Sequence, residues 1–107
     1  MKRKMRLSIF LLLAIFFTLW TIWGNLTVGV TRYSVGSSKV PESFDGFKVA
    51  VISDLHNAEF GKDNSDIVKK VKQQNPDIIA ITGDFVDSNK TDIDLAVSLA
   101  KQLVEIA

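Results

Sequence analysis

A long uncharged stretch near the start of the chain is its strongest hydrophobic pattern. Residues 7–31 contain no charged side chain, and the apolar part, residues 7–26, is long enough to cross about 30 Å of bilayer hydrocarbon as a helix. Four basic residues precede it, and Trp20 and Trp23 lie at its far end, where indole rings favour the membrane interface. The pattern predicts a single-pass anchor of the cell membrane within residues 1–30, with a cytoplasmic N-terminus and an extracytoplasmic body.

Two other interpretations of the apolar stretch remain open. A cleaved signal peptide usually has an apolar region of about 7–15 residues and small residues at its cleavage site. This stretch is longer, and Thr27-Val28-Gly29 is only a weak cleavage candidate. A helix buried in a soluble core would rarely be apolar on every side over this length. The sequence favours the membrane anchor over both.

The rest of the chain alternates between short apolar runs and helical patterns. Two runs rich in β-branched residues predict strands near 47–53 and 77–82, each covered on both faces. A helix is predicted over residues 66–74, capped by Asn64 or Ser65. The order strand, helix, strand, helix implies a right-handed βαβ unit with parallel strands.

The predicted boundaries divide the chain into three parts. After the anchor (1–30), residues 31–46 form a linker, and the loose alternation of apolar residues over 28–46 predicts one strand that leads into a loop. Residues 47–107 hold the βαβ unit, whose last helix opens with a capping box at Thr91-x-x-Asp94. The sequence stops within that helical pattern without a Gly or Pro signal, so we expect a truncated chain.

Charge and cysteine content exclude several classes of function. Five of the 13 basic residues flank the apolar stretch, which leaves 8 basic against 12 acidic residues in the body. This mildly acidic body shows no nucleic-acid-binding face, which would need clustered Lys and Arg. The absence of cysteine excludes disulfides and thiolate metal sites within the sequence.

Polar side chains able to bind a metal follow both predicted strands. Asp54 and His56 follow the first strand, and Asp84, preceded by Gly83, follows the second. Ligands of parallel sheets gather beyond the carboxyl ends of the strands, and residues two apart on extended backbone share a face. Two carboxylates and one imidazole suit zinc, manganese or iron better than calcium or magnesium. Each residue alone would more often be an ordinary surface group, but together at adjacent strand ends they indicate a metal site.

The spacing of these residues resembles the calcineurin-like metallophosphoesterases. Asp54-Leu55-His56 and Gly83-Asp84-Phe85-Val86-Asp87 are similar to the first two metal-binding blocks of that family, and Asn75-Pro76-Asp77 before the second strand also looks like it. The nearest resemblance is to a bacterial, membrane-anchored branch, of which this chain would be roughly the first third. The resemblance implies an α/β fold, in which an N-terminal transmembrane helix precedes the first part of a metallophosphoesterase βαβ sandwich.

The resemblance also implies roles for individual residues. Asp54 and His56 would bind a first metal ion, and Asp84 would bridge two ions. Asp87 would orient a histidine from a third block that lies beyond this sequence. The full-length protein would therefore use two divalent ions, manganese, iron or zinc. Ser88 stands where protein phosphatases carry a phosphate-binding arginine, which argues against that subgroup.

The function implied is metal-dependent hydrolysis of phosphate mono- or diesters, with little activity expected of these 107 residues alone. The alternative is a membrane-tethered α/β module that binds a partner or an ion without catalysis. A receiver-like phosphoacceptor would need an acidic pair after the first strand, and His56 does not suit that role.

Overall fold

The computed structural model describes residues 2–89 and 91–107. Its elements in chain order are α1 (Lys2–Leu26), β1 (Val49–Ile52), α2 (Ser65–Gln74), β2 (Ile78–Ile81) and α3 (Ile93–Val104), with short 3-10 helices at Glu42–Phe44 and Lys62–Asn64. The order strand, helix, strand, helix predicted for the body is confirmed.

Helix α1 has the length and composition of a membrane span. Its segment Arg3–Leu26 is long and apolar enough to cross a bilayer, and none of its apolar window is buried against the rest of the described chain. Two of its hydroxyls bond within the helix, since Thr18 and Thr21 each donate a 2.8 Å bond to the carbonyl four residues earlier. Such internal bonding suits a helix surrounded by lipid, where no water is present to form hydrogen bonds with the hydroxyls. Within the described residues, α1 is thus not part of a buried core.

The segment between α1 and β1 differs from the prediction. Residues 28–46, all of which the structure describes, contain no strand. Their apolar alternation faces no sheet, because Tyr33 and Val35 are 87% and 89% exposed. The segment is instead fixed at two points near its start. Val28 packs against the core, and the Arg32 guanidinium donates two bonds, of 3.1 and 2.8 Å, to the side-chain oxygen of Gln74 in α2.

The two strands pair in parallel, as predicted. The register runs from Val49 opposite Ile78 to Ile52 opposite Ile81, so both strands end at the same level. The backbone amide of Thr82 donates to the Ile52 carbonyl at 3.1 Å and continues the pairing beyond the strands. The loops that follow β1 and β2 therefore start side by side.

A small apolar core lies between the sheet and the helices α2 and α3. Its buried members are Leu55, Ile67, Val71, Leu99 and Leu103. The prediction that both faces of the strands are covered is wrong for the described chain. Val49 and Val51 alternate with half-buried neighbours and are 51% and 63% exposed, because both helices pack on the other face.

The helix caps agree with the prediction only in part. Asn64 is the N-cap residue of α2, as predicted, but it makes no side-chain cap bond, because its side-chain oxygen accepts a 3.0 Å bond from the backbone amide of Phe60. At α3 the cap is Asp92, which accepts from the amide of Leu95 at 3.0 Å. Thr91, the predicted cap, instead donates its hydroxyl to a loop carbonyl.

Candidate metal centre

The structure brings Asp54, His56 and Asp84 together at the carboxyl ends of the two strands. One potential ligand atom from each residue lies within 4.8 Å of the others, and all three side chains are exposed. Ligand atoms bonded to one ion at about 2.1 Å lie at most about 4.2 Å apart. The cluster is thus slightly wider than one ion requires. Small side-chain rotations would bring the three ligand atoms within bonding distance of one ion.

The backbone that carries these side chains is left-handed rather than extended. The φ angles are +57° at Asp54, +47° at His56 and +51° at Asp84. Such angles are uncommon for residues other than glycine, although Asp, Asn and His adopt them more readily than most. The prediction that Asp54 and His56 share a face of extended backbone is therefore wrong, because β1 ends at Ile52. A tight turn, with Leu55 buried in the core between them, projects both side chains outward.

Backbone hydrogen bonds join the loop after β1 to the loop after β2. The amide of His56 donates to the Asp84 carbonyl at 2.7 Å, and the amide of Asn57 donates to the Phe85 carbonyl at 3.0 Å. Gly83 precedes the second loop with φ +126°, and a Cβ added there would meet nothing within 4 Å. Glycine is thus required at this position by its backbone conformation, and not by the close approach of another atom.

Asp87 lies outside the three-residue cluster. Its side-chain oxygen accepts a 2.7 Å bond from the amide of Asn89 within a local turn, and the residue is half-buried. The sequence contains one histidine, His56, so the histidine that Asp87 is predicted to orient is not among these residues. Its role stays a prediction.

Asn57 is a site residue to which the sequence assigned no role. It follows His56 directly, is 8% exposed, and connects three segments through its carboxamide. The available signal was its residue type: asparagine tolerates a left-handed turn and has both a donor and an acceptor. A single sequence does not show that such a side chain is buried.

A cavity beside the strands does not contain the cluster. A volume of about 450 Å³ lies between residues 27–31 and β1 and is lined mostly by apolar side chains. Asp54 lines this cavity, but His56 and Asp84 do not. All three ligand candidates are nevertheless exposed to solvent.

The chain is similar to curated proteins that are named metallophosphoesterases. The chain is 32% identical over 66 residues to the uncharacterized metallophosphoesterase YkuE of Bacillus subtilis strain 168, over 60% of this chain and 23% of that protein. It is 33% identical over 79 residues to an uncharacterized metallophosphoesterase of Aquifex aeolicus, over 72% of this chain and 29% of that protein. A transmembrane protein with a metallophosphoesterase domain from Danio rerio is 38% identical over 61 residues, 55% of this chain and 14% of the relative.

The chain thus spans less than a third of the length of these curated relatives. No solved structure matches it. Residues 47–106, which include both strands and all three clustered side chains, match the family model of calcineurin-like phosphoesterases. The chain belongs to the calcineurin-like phosphoesterase family.

Proposed function

We propose that this chain forms the first part of a membrane-anchored enzyme that hydrolyses phosphate mono- or diesters. The observation that supports the proposal most directly is the cluster of Asp54, His56 and Asp84 at adjacent strand ends. Family membership adds the reaction class, because the matched model is that of a phosphoesterase.

The three side chains divide between two divalent ions in this proposal. Asp54 and His56 would hold a first ion, and Asp84 would be a ligand shared with a second. Two carboxylates neutralise one divalent charge, and the mixed oxygen and nitrogen donors suit manganese, iron or zinc. When bound, such a pair of ions would polarise the phosphate and activate a water for in-line attack at phosphorus.

The chain supplies fewer ligands than two ions need. Three donors suffice for one open site, whereas a second ion would have only the shared Asp84. The remaining ligands would come from the part of the domain that the curated relatives have beyond the matched region. We expect the 107 residues alone to bind one ion and to show little turnover, because the substrate and the attacking water are not both held.

The membrane placement is also part of the proposal. Helix α1 would span the cell membrane once with its basic end in the cytoplasm. The body would then lie outside, and its phosphate-ester substrate would be extracytoplasmic.

The test compares Asp84→Asn with Asp45→Asn in a longer protein that carries this chain and the rest of the domain. Asp45 precedes β1 and so lies toward the opposite end of the strands. With manganese and bis-p-nitrophenyl phosphate, we expect Asp84→Asn to abolish turnover and Asp45→Asn to leave it unchanged. Manganese binding without turnover in the wild-type longer protein would favour the non-catalytic module. Unimpaired turnover in Asp84→Asn would refute the assigned role of that carboxylate.

A further inference from the structure

The side chain of Asn57 is buried although its neighbours His56 and Ala58 are exposed. Its carboxamide makes three hydrogen bonds. The nitrogen Nδ2 donates to the Asp92 carbonyl at 2.8 Å, and the oxygen Oδ1 accepts from the amides of Asp87 at 2.8 Å and Asp92 at 3.3 Å. One side chain thus joins the loop after β1, the loop after β2 and the start of α3.

These bonds fix a residue that is covalently attached to a ligand candidate. His56 precedes Asn57, and the backbone amides of both donate to the loop that carries Asp84. The side chain of Asn57 extends this contact to Asp87, three residues beyond Asp84. Release of the carboxamide would free the two loops to separate on one side of the cluster. Metal ligands must stay within about 0.5 Å of their productive positions, so a small separation matters.

We infer that Asn57 is a positioning residue, whose Oδ1 sets the separation between the loop of Asp54 and His56 and the loop of Asp84. The inference rests on the proposed metal centre. Asn57 is not one of the three proposed ligands. It acts on them through the backbone of the two loops. Groups that orient metal ligands in this indirect way typically change metal affinity about 10–100-fold when removed.

Asn64 offers a matched control for general stability. It is also a buried asparagine, 1% exposed, with φ +58° against +56° for Asn57. Its Oδ1 bonds to the amide of Phe60, away from the loop after β2. Glycine adopts left-handed backbone without penalty, so Asn57→Gly and Asn64→Gly remove only the side chains.

The first measurement needs no metal. Hydrogen exchange of individual amides reports local opening, and the His56 amide is held by the Asp84 carbonyl. In the 107-residue chain in detergent, Asn57→Gly should accelerate exchange at His56 at least tenfold. Asn64→Gly should accelerate exchange at Phe60 and leave His56 within about threefold of the wild type. Equal acceleration at His56 in both variants would reduce Asn57 to a general stabilising residue.

The second measurement is manganese affinity, followed by the electron paramagnetic resonance signal of free Mn²⁺. We expect Asn57→Gly to weaken binding about 10–100-fold and Asn64→Gly to change it less than threefold. Asn57→Asp keeps an oxygen that accepts both amide bonds but loses the donor to the Asp92 carbonyl, so it should bind manganese more weakly than the wild type and at least threefold more tightly than Asn57→Gly. Equal affinity in the two variants would overturn the role of Oδ1, as would a loss above a hundredfold in Asn57→Asp if Asn57→Gly failed to fold.

The outcomes separate this inference from the proposed function. Wild-type binding that is unchanged in Asn57→Gly would overturn the positioning role and leave the metal centre intact. A wild-type chain that binds no manganese would overturn the metal centre and the positioning role with it.

Discussion

The backbone amide of His56 donates a 2.7 Å hydrogen bond to the backbone carbonyl of Asp84. Two ligand candidates that are 28 positions apart in sequence are thus joined through main-chain atoms and not through their side chains. Substitution of either side chain leaves this bond in place. Variants of the cluster should therefore lose metal binding without losing the fold, so their effects can be read as effects on the site.

Asp84 and Asp87 should differ in how strongly they affect turnover. In the longer enzyme, Asp84→Asn removes a charge from the shared ligand and should abolish activity. Asp87→Asn should lower kcat/KM only about 10–100-fold, because Asp87 would act through another ligand. The amide oxygen of the new asparagine can still accept the bond from Asn89. Equal losses in the two variants would show that Asp87 itself contacts an ion or the substrate.

Leu99 should be the most costly apolar side chain of α3 to truncate. It is fully buried at 0% exposure, whereas Val97 on the same helix is 44% exposed. Leu99→Ala should lower the free energy of unfolding by about 2–5 kcal/mol, and Val97→Ala by well under half of that. Urea titration in a mild detergent measures both. A loss below about 1 kcal/mol for Leu99→Ala would mean that the site collapses around the cavity.

Gly61 should not tolerate a side chain. Its φ is +72°, and an added Cβ would lie 2.6 Å from the Ser65 hydroxyl oxygen and 2.9 Å from the Asp66 carboxyl carbon. Gly61→Ala should therefore lower the free energy of unfolding by about 1–3 kcal/mol. Gly36→Ala is the control, since nothing lies within 4 Å of its Cβ position and its φ lies outside the left-handed region. Equal stability of the two variants in thermal unfolding would contradict the strain expected at residue 61.

The orientation of α1 should follow its flanking charges. A periplasmic reporter, such as alkaline phosphatase, fused after residue 45 should be active, and a cytoplasmic reporter at the same place inactive. Replacement of Lys2, Arg3, Lys4 and Arg6 by glutamine should weaken this preference, because positive residues hold their side in the cytoplasm. The opposite reporter pattern in the unmodified chain would place the body in the cytoplasm.

The sequence predicts the elements that depend on local pattern. Both strands, their parallel pairing and the meeting of Asp54 with Asp84 follow from apolar runs of strand length and from polar residues after each run. These features could be found because a parallel pair necessarily brings its carboxyl ends to one edge.

Other features depend on tertiary contacts that one sequence does not reveal. The left-handed backbone at His56 and the buried carboxamide of Asn57 are set by bonds to the second loop, about 30 residues away. The apolar alternation around Tyr33 resembles a strand, but no described strand pairs with it. Thr91 suits a helix cap by residue type, yet its hydroxyl bonds within the loop and Asp92 takes that position.

The segment between α1 and Arg32 is short, and it keeps the body near the lipid while the exposed bond from Arg32 to Gln74 is formed. Only residues 27–31 separate the end of α1 from Arg32, and five extended residues reach at most about 18 Å. With α1 in a bilayer, the body would then stay within a thin layer beside the membrane. If the proposed hydrolysis takes place in this thin layer, esters that are themselves held at the membrane surface would be encountered more often than esters in bulk solution.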